Sequence, residues 1–294
     1  MLDVIPEGPG PGWGEESLIS KGRYRRILLA AVLSVSVVAI VPLLIMTGIN
    51  YYQYEQAFRA EQTRPMIRFV TNAKQTLESF LHERSAALQF AVRERTYGQL
   101  RDPRTLNDIL QSLKESFGGF VDLGVITDQG IQVAYAGPFE LEGMDYRGSP
   151  WFQEATRRGA FVSDVFLGYR DVPHFVIAIS QETGSSGGFV LRASIDAGVL
   201  NEVARNLLVQ PGGDAFFLNF EGILQTPSRS HGSLLEEARI PTLPFSEQTE
   251  QIELGEADEP TRLVTYAQVE RSPFTVVMVG PSRARALSLL GSPG

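Results

Sequence analysis

The sequence predicts an α+β protein hung on a membrane-spanning helix, and three observations predict it. One apolar run, Ile27 to Ile49, carries no charge. A glycine-free stretch follows it with apolar residues at helical spacing. The chain then changes to short alternating segments punctuated by Gly and Pro, in two successive β-rich regions.

The run ILLAAVLSVSVVAIVPLLIMTGI is longer than the roughly 20 apolar residues a helix needs to cross a bilayer. Lys21, Arg23, Arg25 and Arg26 precede it, whereas Glu55 is the single charge between Asn50 and Phe58. Positive residues stay on the cytoplasmic side, which sets the N-terminus inside and the bulk of the chain outside. Tyr51, Tyr52 and Tyr54 suit the far interface, where a ring is half wet. A cleaved signal peptide has a shorter apolar core of about 7–15 residues and a small-residue cleavage site. The segment Met46-Thr47-Gly48-Ile49-Asn50-Tyr51 is a poor one, so an uncleaved anchor is expected.

The expected organisation is a Gly-, Pro- and acid-rich disordered cytoplasmic lead-in over 1–26, the membrane helix over 27–49 and a long helix over 50–98. A first β-rich unit spans 99–210, a second 211–285, and a tail 286–294. Phe69, Ala73, Leu77, Phe80 and Leu81 give the long helix its apolar face, and a second helix runs from Thr105 to Phe117 after Pro103. Gly119–Ile126 and Ile131–Ala136 form a hairpin around Asp128-Gln129-Gly130. A loop and a short helix, Trp151–Arg158, follow. Then come strands over Ala160–Leu167, Val172–Ser180 and Gly188–Ser194 and a helix over Asp196–Leu208. The second unit pairs Ala215–Asn219 with Ile223–Thr226 and ends with strands Gln251–Leu254, Arg262–Gln268 and Phe274–Val279, after a polar excursion over 228–248.

Composition narrows the function. The 294 residues include no Cys, which excludes disulfides, thiolate zinc sites and Cys nucleophiles. A net charge of −8 without a basic stripe argues against nucleic acid. No G-x-S-x-G elbow, H-E-x-x-H, EF-hand loop or phosphate loop occurs, and GSSGG at 184–188 lacks the Lys a phosphate loop needs. No cofactor is expected, and a hydrolase is a distant reading.

Four segments in combination resemble the double Cache domain of bacterial transmembrane receptors: VDLGVITDQGIQVAYAGPF (121–139), MDYRGSPWFQEATRRG (144–159), FVSDVFLGYRDVPHFVIAIS (161–180) and GGFVLRASIDAGVLNEV (187–203). The resemblance covers about 50–285. It implies two stacked PAS-like antiparallel-sheet units on a long signalling helix, a small ligand beneath the Trp-helix loop of the membrane-distal unit, and a homodimer. The implied location is a bacterial inner membrane with the sensor periplasmic or extracellular. The phrasing is most like receptors coupled to a histidine kinase, although chemoreceptors use the same input domain. No kinase motif is present, and the chain stops about where such receptors place a second membrane helix. A membrane-tethered scaffold that binds a partner protein is the competing reading.

Candidate ligand-binding residues follow from the resemblance and from strand alternation. Tyr146, Arg147, Trp151 and Phe152 sit at the loop-to-helix junction. There a ring and a guanidinium can box a small anion, or the two aromatics can simply anchor the helix. Alternation sets Asp164 and Phe166 on one face of their strand. His174 is either a ligand group or a structural one. Arg192 is a charge in an apolar strand, facing either solvent or an acidic ligand, and Tyr135 is equally balanced. The family's amino-acid-binding pattern wants an Arg two before the Trp, a Tyr after it, a later Tyr-x-Asp and a final strand Asp. Here Ser149, Phe152, Phe166 with Gly168, and Arg192 stand at those positions. An α-amino acid is therefore not expected, while a carboxylate or other small anion on Arg147 or Arg192 is.

Overall fold

The computed structural model describes residues 16–182, 187–207, 213–254 and 262–280, with backbone alone for 16–24 and 53–64. The expected disordered lead-in lies mostly outside the described residues and the expected tail wholly outside them. The chain divides into two compact units, Met1–Gln62 and Thr63–Gly294. What is described of the first is helix: α1 runs Glu16–Glu94 without a break, so the apolar run and the amphipathic stretch share one helix. Within it Arg25–Tyr52 is long and apolar enough to cross a membrane, and none of its most apolar window is buried.

In the second unit, α1 presents Met66, Val70, Ala73, Leu77, Leu81 and Leu88 to the core. The apolar face expected of the long helix thus packs inside this chain, with Phe69 and Phe80 partly buried beside these residues. A short helix, α2 (Tyr97–Leu100), starts at a capping box in which Thr96 and Gln99 satisfy each other's backbone. Next, α3 (Pro103–Phe117) has Asp102 as its N-cap and Pro103 at its first turn.

The first sheet contains β1 (Phe120–Thr127), β2 (Gln132–Ala136), β3 (Ala160–Val162), β4 (His174–Glu182) and β5 (Gly188–Asp196), ordered β2-β1-β5-β4-β3 and antiparallel throughout its pairs. Between β2 and β3 lies α4 (Pro150–Arg158), and α5 (Gly198–Leu207) follows β5. Period-2 alternation divides the sheet's residues cleanly. Phe175, Ile177, Ile179, Phe189, Leu191, Ala193 and Ile195 face the core they share with α1 and α3. Val176, Ala178 and Val190 face the other way, under α4. A register shift between Phe120 and Asp122 lets Phe120 join Leu123 in the core while Asp122 turns to the α4 side.

The strand expected over Ala160–Leu167 ends at Val162. Ser163 explains the stop: its amide still bonds Val176 O at 2.9 Å, but the Val176 amide donates to Ser163 Oγ at 2.8 Å. The side chain replaces the next carbonyl and the ladder cannot continue. A single 3-10 turn, Gly168–Arg170, then carries the chain to β4, with Asp171 in the left-handed region at φ 52°.

The second sheet has β6 (Asp214–Leu218), β7 (Glu250–Leu254), β8 (Arg262–Gln268) and β9 (Thr275–Val279) in the order β6-β9-β8-β7. The strand expected over Ile223–Thr226 is reduced to isolated bridges, Leu218–Leu224 and Ile223–Glu237. The 228–248 excursion covers this sheet's outer face with Ala238, Ile240 and Leu243. It is pinned at Asp214, which accepts bonds from Ser228 Oγ (2.5 Å), His231 Nδ1 (3.0 Å) and the Ser230 amide (3.1 Å). The inner face merges with the first core, where Phe175 meets Phe274 edge-on at 5.4 Å.

Candidate functional site

The α4-facing side of the first sheet holds a buried ionic cluster that no single segment of the sequence announces. Asp122 on β1 is fully buried, and Arg192 on β5 is 2% exposed. Gly124 on β1 stands opposite Arg192 in the register, and a Cβ there would lie 3.4 Å from Arg192 Nε. Arg192 Nη2 donates to Asp122 Oδ1 at 2.8 Å. Arg170, at the end of the 3-10 turn, donates from Nη1 to Asp122 Oδ2 at 2.7 Å, and its side chain is 3% exposed. Tyr135 on β2 adds its hydroxyl to the same oxygen at 3.3 Å and accepts the Phe139 amide at 3.1 Å.

One carboxylate thus faces two guanidinium groups, an excess of one positive charge in a buried place. Burial holds the Arg170 guanidinium below its ordinary pKa, with Asp122 opposing that shift. Burial also pushes the phenols of Tyr135 and Tyr146 upward, so both remain protonated donors at neutral pH.

Aromatic rings close the cluster. Tyr146 is buried and accepts from Arg192 Nη1 at 3.2 Å. Its ring lies 5.2 Å from Trp151 and 5.5 Å from Tyr169, and the Arg192 guanidinium sits 5.4 Å from its centroid. The Arg170 guanidinium is 5.2 Å from the Phe139 ring. Trp151, Phe152 and Ala155 share one face of α4 and pack with Ile126, Val176, Ala178 and Val190. Tyr169, itself 58% exposed, ties the turn to the loop through the carbonyl of Asp145 at 2.8 Å.

Tyr135, Tyr146, Trp151 and Arg192 converge, with Phe152 and Phe166 in the surrounding apolar cluster. Arg192 does not face solvent: it pairs with the internal Asp122. Arg147 stays apart: it is exposed and forks onto the equally exposed Asp145, whose carboxyl those bonds lower to about 2. Because the strand ends at Val162, alternation does not apply to Asp164. That residue accepts from Nδ2 of Asn219, just past the end of β6, at 3.4 Å, and burial raises its carboxyl pKa. His174 is buried against Phe166, 4.4 Å between centroids. Its Nδ1 donates to Val172 O at 2.7 Å, and burial lowers its pKa to about 4, so it is neutral at pH 7. Asp122, Arg170 and Ser194 were not singled out by sequence reasoning. The one available clue was that Asp122, like Arg192, interrupts an apolar strand.

Comparison with known proteins gives structural neighbours only: no protein-family model and no curated protein matches. The extracellular domain of rpHK1S-Z16, which carries a histidine-kinase assignment, superposes with a TM-score of 0.56 at 16% identity, over 82% of this chain and 99% of its own. The ligand-binding domain of the Pseudomonas fluorescens chemoreceptor CtaA, in complex with L-isoleucine, gives 0.58 at 14% identity, over 81% and 99%. The ligand-binding domain of Mlp24, with asparagine, gives 0.60 at 18%, over 80% and 99%. The fold is that of a double Cache sensor domain.

These structures overturn one expectation. Double Cache domains of this shape are seen with isoleucine, asparagine, arginine, glutamine and valine, so the argument against an α-amino acid does not stand. That argument matched charges position by position along the chain. In three dimensions a carboxylate and a guanidinium from outside that pattern, Asp122 on β1 and Arg170 on the turn, meet each other on the α4-facing side of the sheet.

Proposed function

We propose that this chain is a membrane-anchored, extracytoplasmic small-molecule sensor, the input module of a signal-transduction receptor. Its N-terminus is cytoplasmic and its double Cache domain lies on the far side of the membrane. The ligand site is the α4-facing side of the first sheet, around Asp122, Arg192, Tyr146 and Trp151. The observation that carries the reading is the buried cluster itself: two arginines on one aspartate, ringed by aromatics, on the α4-facing side of the first sheet. Apolar residues in place of a buried ionic cluster are often as stable or more so, which makes stability a weak reason for this one and recognition the reading we favour. Amino acids are the first class to test, because the neighbours named above hold them. Coupling to a histidine kinase is the output we favour, in line with the likeness to rpHK1S-Z16; the domains of CtaA and Mlp24 match over as much of their own length, so a chemoreceptor output is the alternative.

A thermal-shift screen of the full chain in detergent micelles tests the reading. A ligand of the folded state raises Tm in proportion to RT ln(1 + [L]/Kd). The expected result is a saturable shift with at least one compound of a panel of amino acids, carboxylates, amines, purines and sugars, weakened in Trp151→Ala. A folded protein that no compound shifts moves the weight to a scaffold that binds a partner protein.

A further inference from the structure

Arg170 makes one hydrogen bond where its guanidinium can make several. Its Nη1 is committed to Asp122, yet its Nε and Nη2 are buried and have no partner among the described residues. These two are not an arbitrary remainder. In a guanidinium, Nε–H and one N–H of Nη2 are parallel and lie on one edge, the side-on fork that grips both oxygens of a planar oxyanion. The neighbouring donors are incomplete in the same way: Arg192 Nε and Ser194 Oγ are buried without partners. Asp122 has both oxygens engaged, by Arg192 on one and by Arg170 and Tyr135 on the other. Among the described residues no further acid pairs with either arginine to answer the excess positive charge or the idle edge. Buried donors are satisfied in the great majority of proteins, and each exception calls for a reason.

We infer that the Arg170 side-on edge is the docking point for a carboxylate of the ligand, α-amino acids among the candidates. This rests on the sensor reading above and adds to it the group recognised and the residue that recognises it. One carboxylate neutralises the excess charge and occupies Nε and Nη2 together. Arg170 belongs to a three-residue turn, whereas Arg192 lies inside the sheet between β1 and β4. Engaging the ligand thus fixes the turn that carries Arg170, and with it the Tyr169 contact to the Asp145 loop.

The test uses the full chain in micelles, with probes that differ only in the group at issue. Sodium acetate, L-alanine and L-isoleucine are titrated against acetamide and L-alaninamide, with sodium phosphate as a second oxyanion and sodium chloride holding ionic strength constant. At least one carboxylate should give a saturable Tm shift, and its amide should bind at least about tenfold more weakly, as expected for loss of a charge-assisted pair. Arg170→Lys keeps the charge and removes the fork, so it should weaken the carboxylate by about tenfold or more. Arg147→Ala should not change the affinity. Circular dichroism checks that Arg170→Lys is folded, and the acid-against-amide comparison needs no variant. The inference is overturned if amides bind as well as acids, if Arg170→Lys binds like the wild type, if phosphate alone shifts Tm, or if no carboxylate does. A neutral compound that binds and is lost in Trp151→Ala would sink this inference while leaving the sensor standing.

Discussion

Asp122→Asn is the sharpest probe of the cluster. The substitution keeps size and one acceptor oxygen but removes the counter-charge that, among the described residues, Arg170 and Arg192 share. At an effective dielectric near 20, each close pair is worth roughly 4 kcal/mol of gross attraction, so about 8 kcal/mol of attraction disappears. Relaxation returns part of it. Arg170 sits on a short turn beside the exposed Tyr169 and can swing to water, whereas Arg192 lies on the central strand and cannot. The net cost should fall in the range measured for orphaning a buried charge, about 3–5 kcal/mol. For a domain of this size that lowers Tm by about 6–20 °C, measurable by differential scanning fluorimetry of the full chain in micelles. A double-mutant cycle localises the cause: in an Arg192→Met background the same Asp122→Asn change should cost at least about 2 kcal/mol less. A cost below about 1 kcal/mol, or strict additivity in the cycle, refutes the claim that this aspartate holds two buried positive charges.

The pH dependence should carry the mark of His174. Its folded pKa of about 4 lies below the unfolded value near 6.5, so its contribution is complete above 6.5 and is lost as pH falls toward 4, by about 3 kcal/mol. Asp164, whose carboxyl is raised, works in the opposite sense, so the difference between wild type and His174→Asn, in which the Asp164 contribution cancels, is what should fall by about 3 kcal/mol across that window. Below it, Asp214 contributes in turn: burial opposes its ionisation, but bonds from His231, Ser228 and two amides hold it at about 2. Mutating Asp214 to Asn should remove the loss between pH 4 and 2 in acid-unfolding curves. Phe175→Ala empties a fully buried position against Phe274 and should cost about 3–5 kcal/mol in urea unfolding, more than any exposed aromatic such as Phe220. Arg147→Ala removes only an exposed pair with Asp145; unfolding midpoints should not move, and a large drop would show that this loop is held by that pair.

The readable parts of this chain were those whose physics is local. The apolar run, the Pro-marked start of α3, the hairpin turn at Asp128-Gln129-Gly130 and the period-2 alternation of β4 and β5 depend on residues within a few positions of one another. Hence most elements emerged within a residue or two of expectation, and the four-segment resemblance carried the architecture. The misses share a different cause. Ser163 ends β3 by bonding a residue thirteen positions away, and the Ile223–Thr226 strand is cut to single bridges because it divides its pairing between Leu218, its expected partner, and Glu237 of the 228–248 excursion.

The candidate site divides along the same line. Tyr146 and Trp151 were legible because a loop followed by a Pro-initiated helix displays them together. Arg147 was legible too, and the structure leaves it in water. Arg192 could be recognised as unusual, but not what it meets, since Asp122 lies 70 residues earlier and Arg170 another strand away. By itself the sequence determined the anchor, the α+β class and the helical and strand periods, because each is fixed by spacing along the chain. Only the tertiary structure decided which charges meet, because a strand order of β2-β1-β5-β4-β3 brings together residues from three distant segments, and a buried ion pair is defined by that proximity alone.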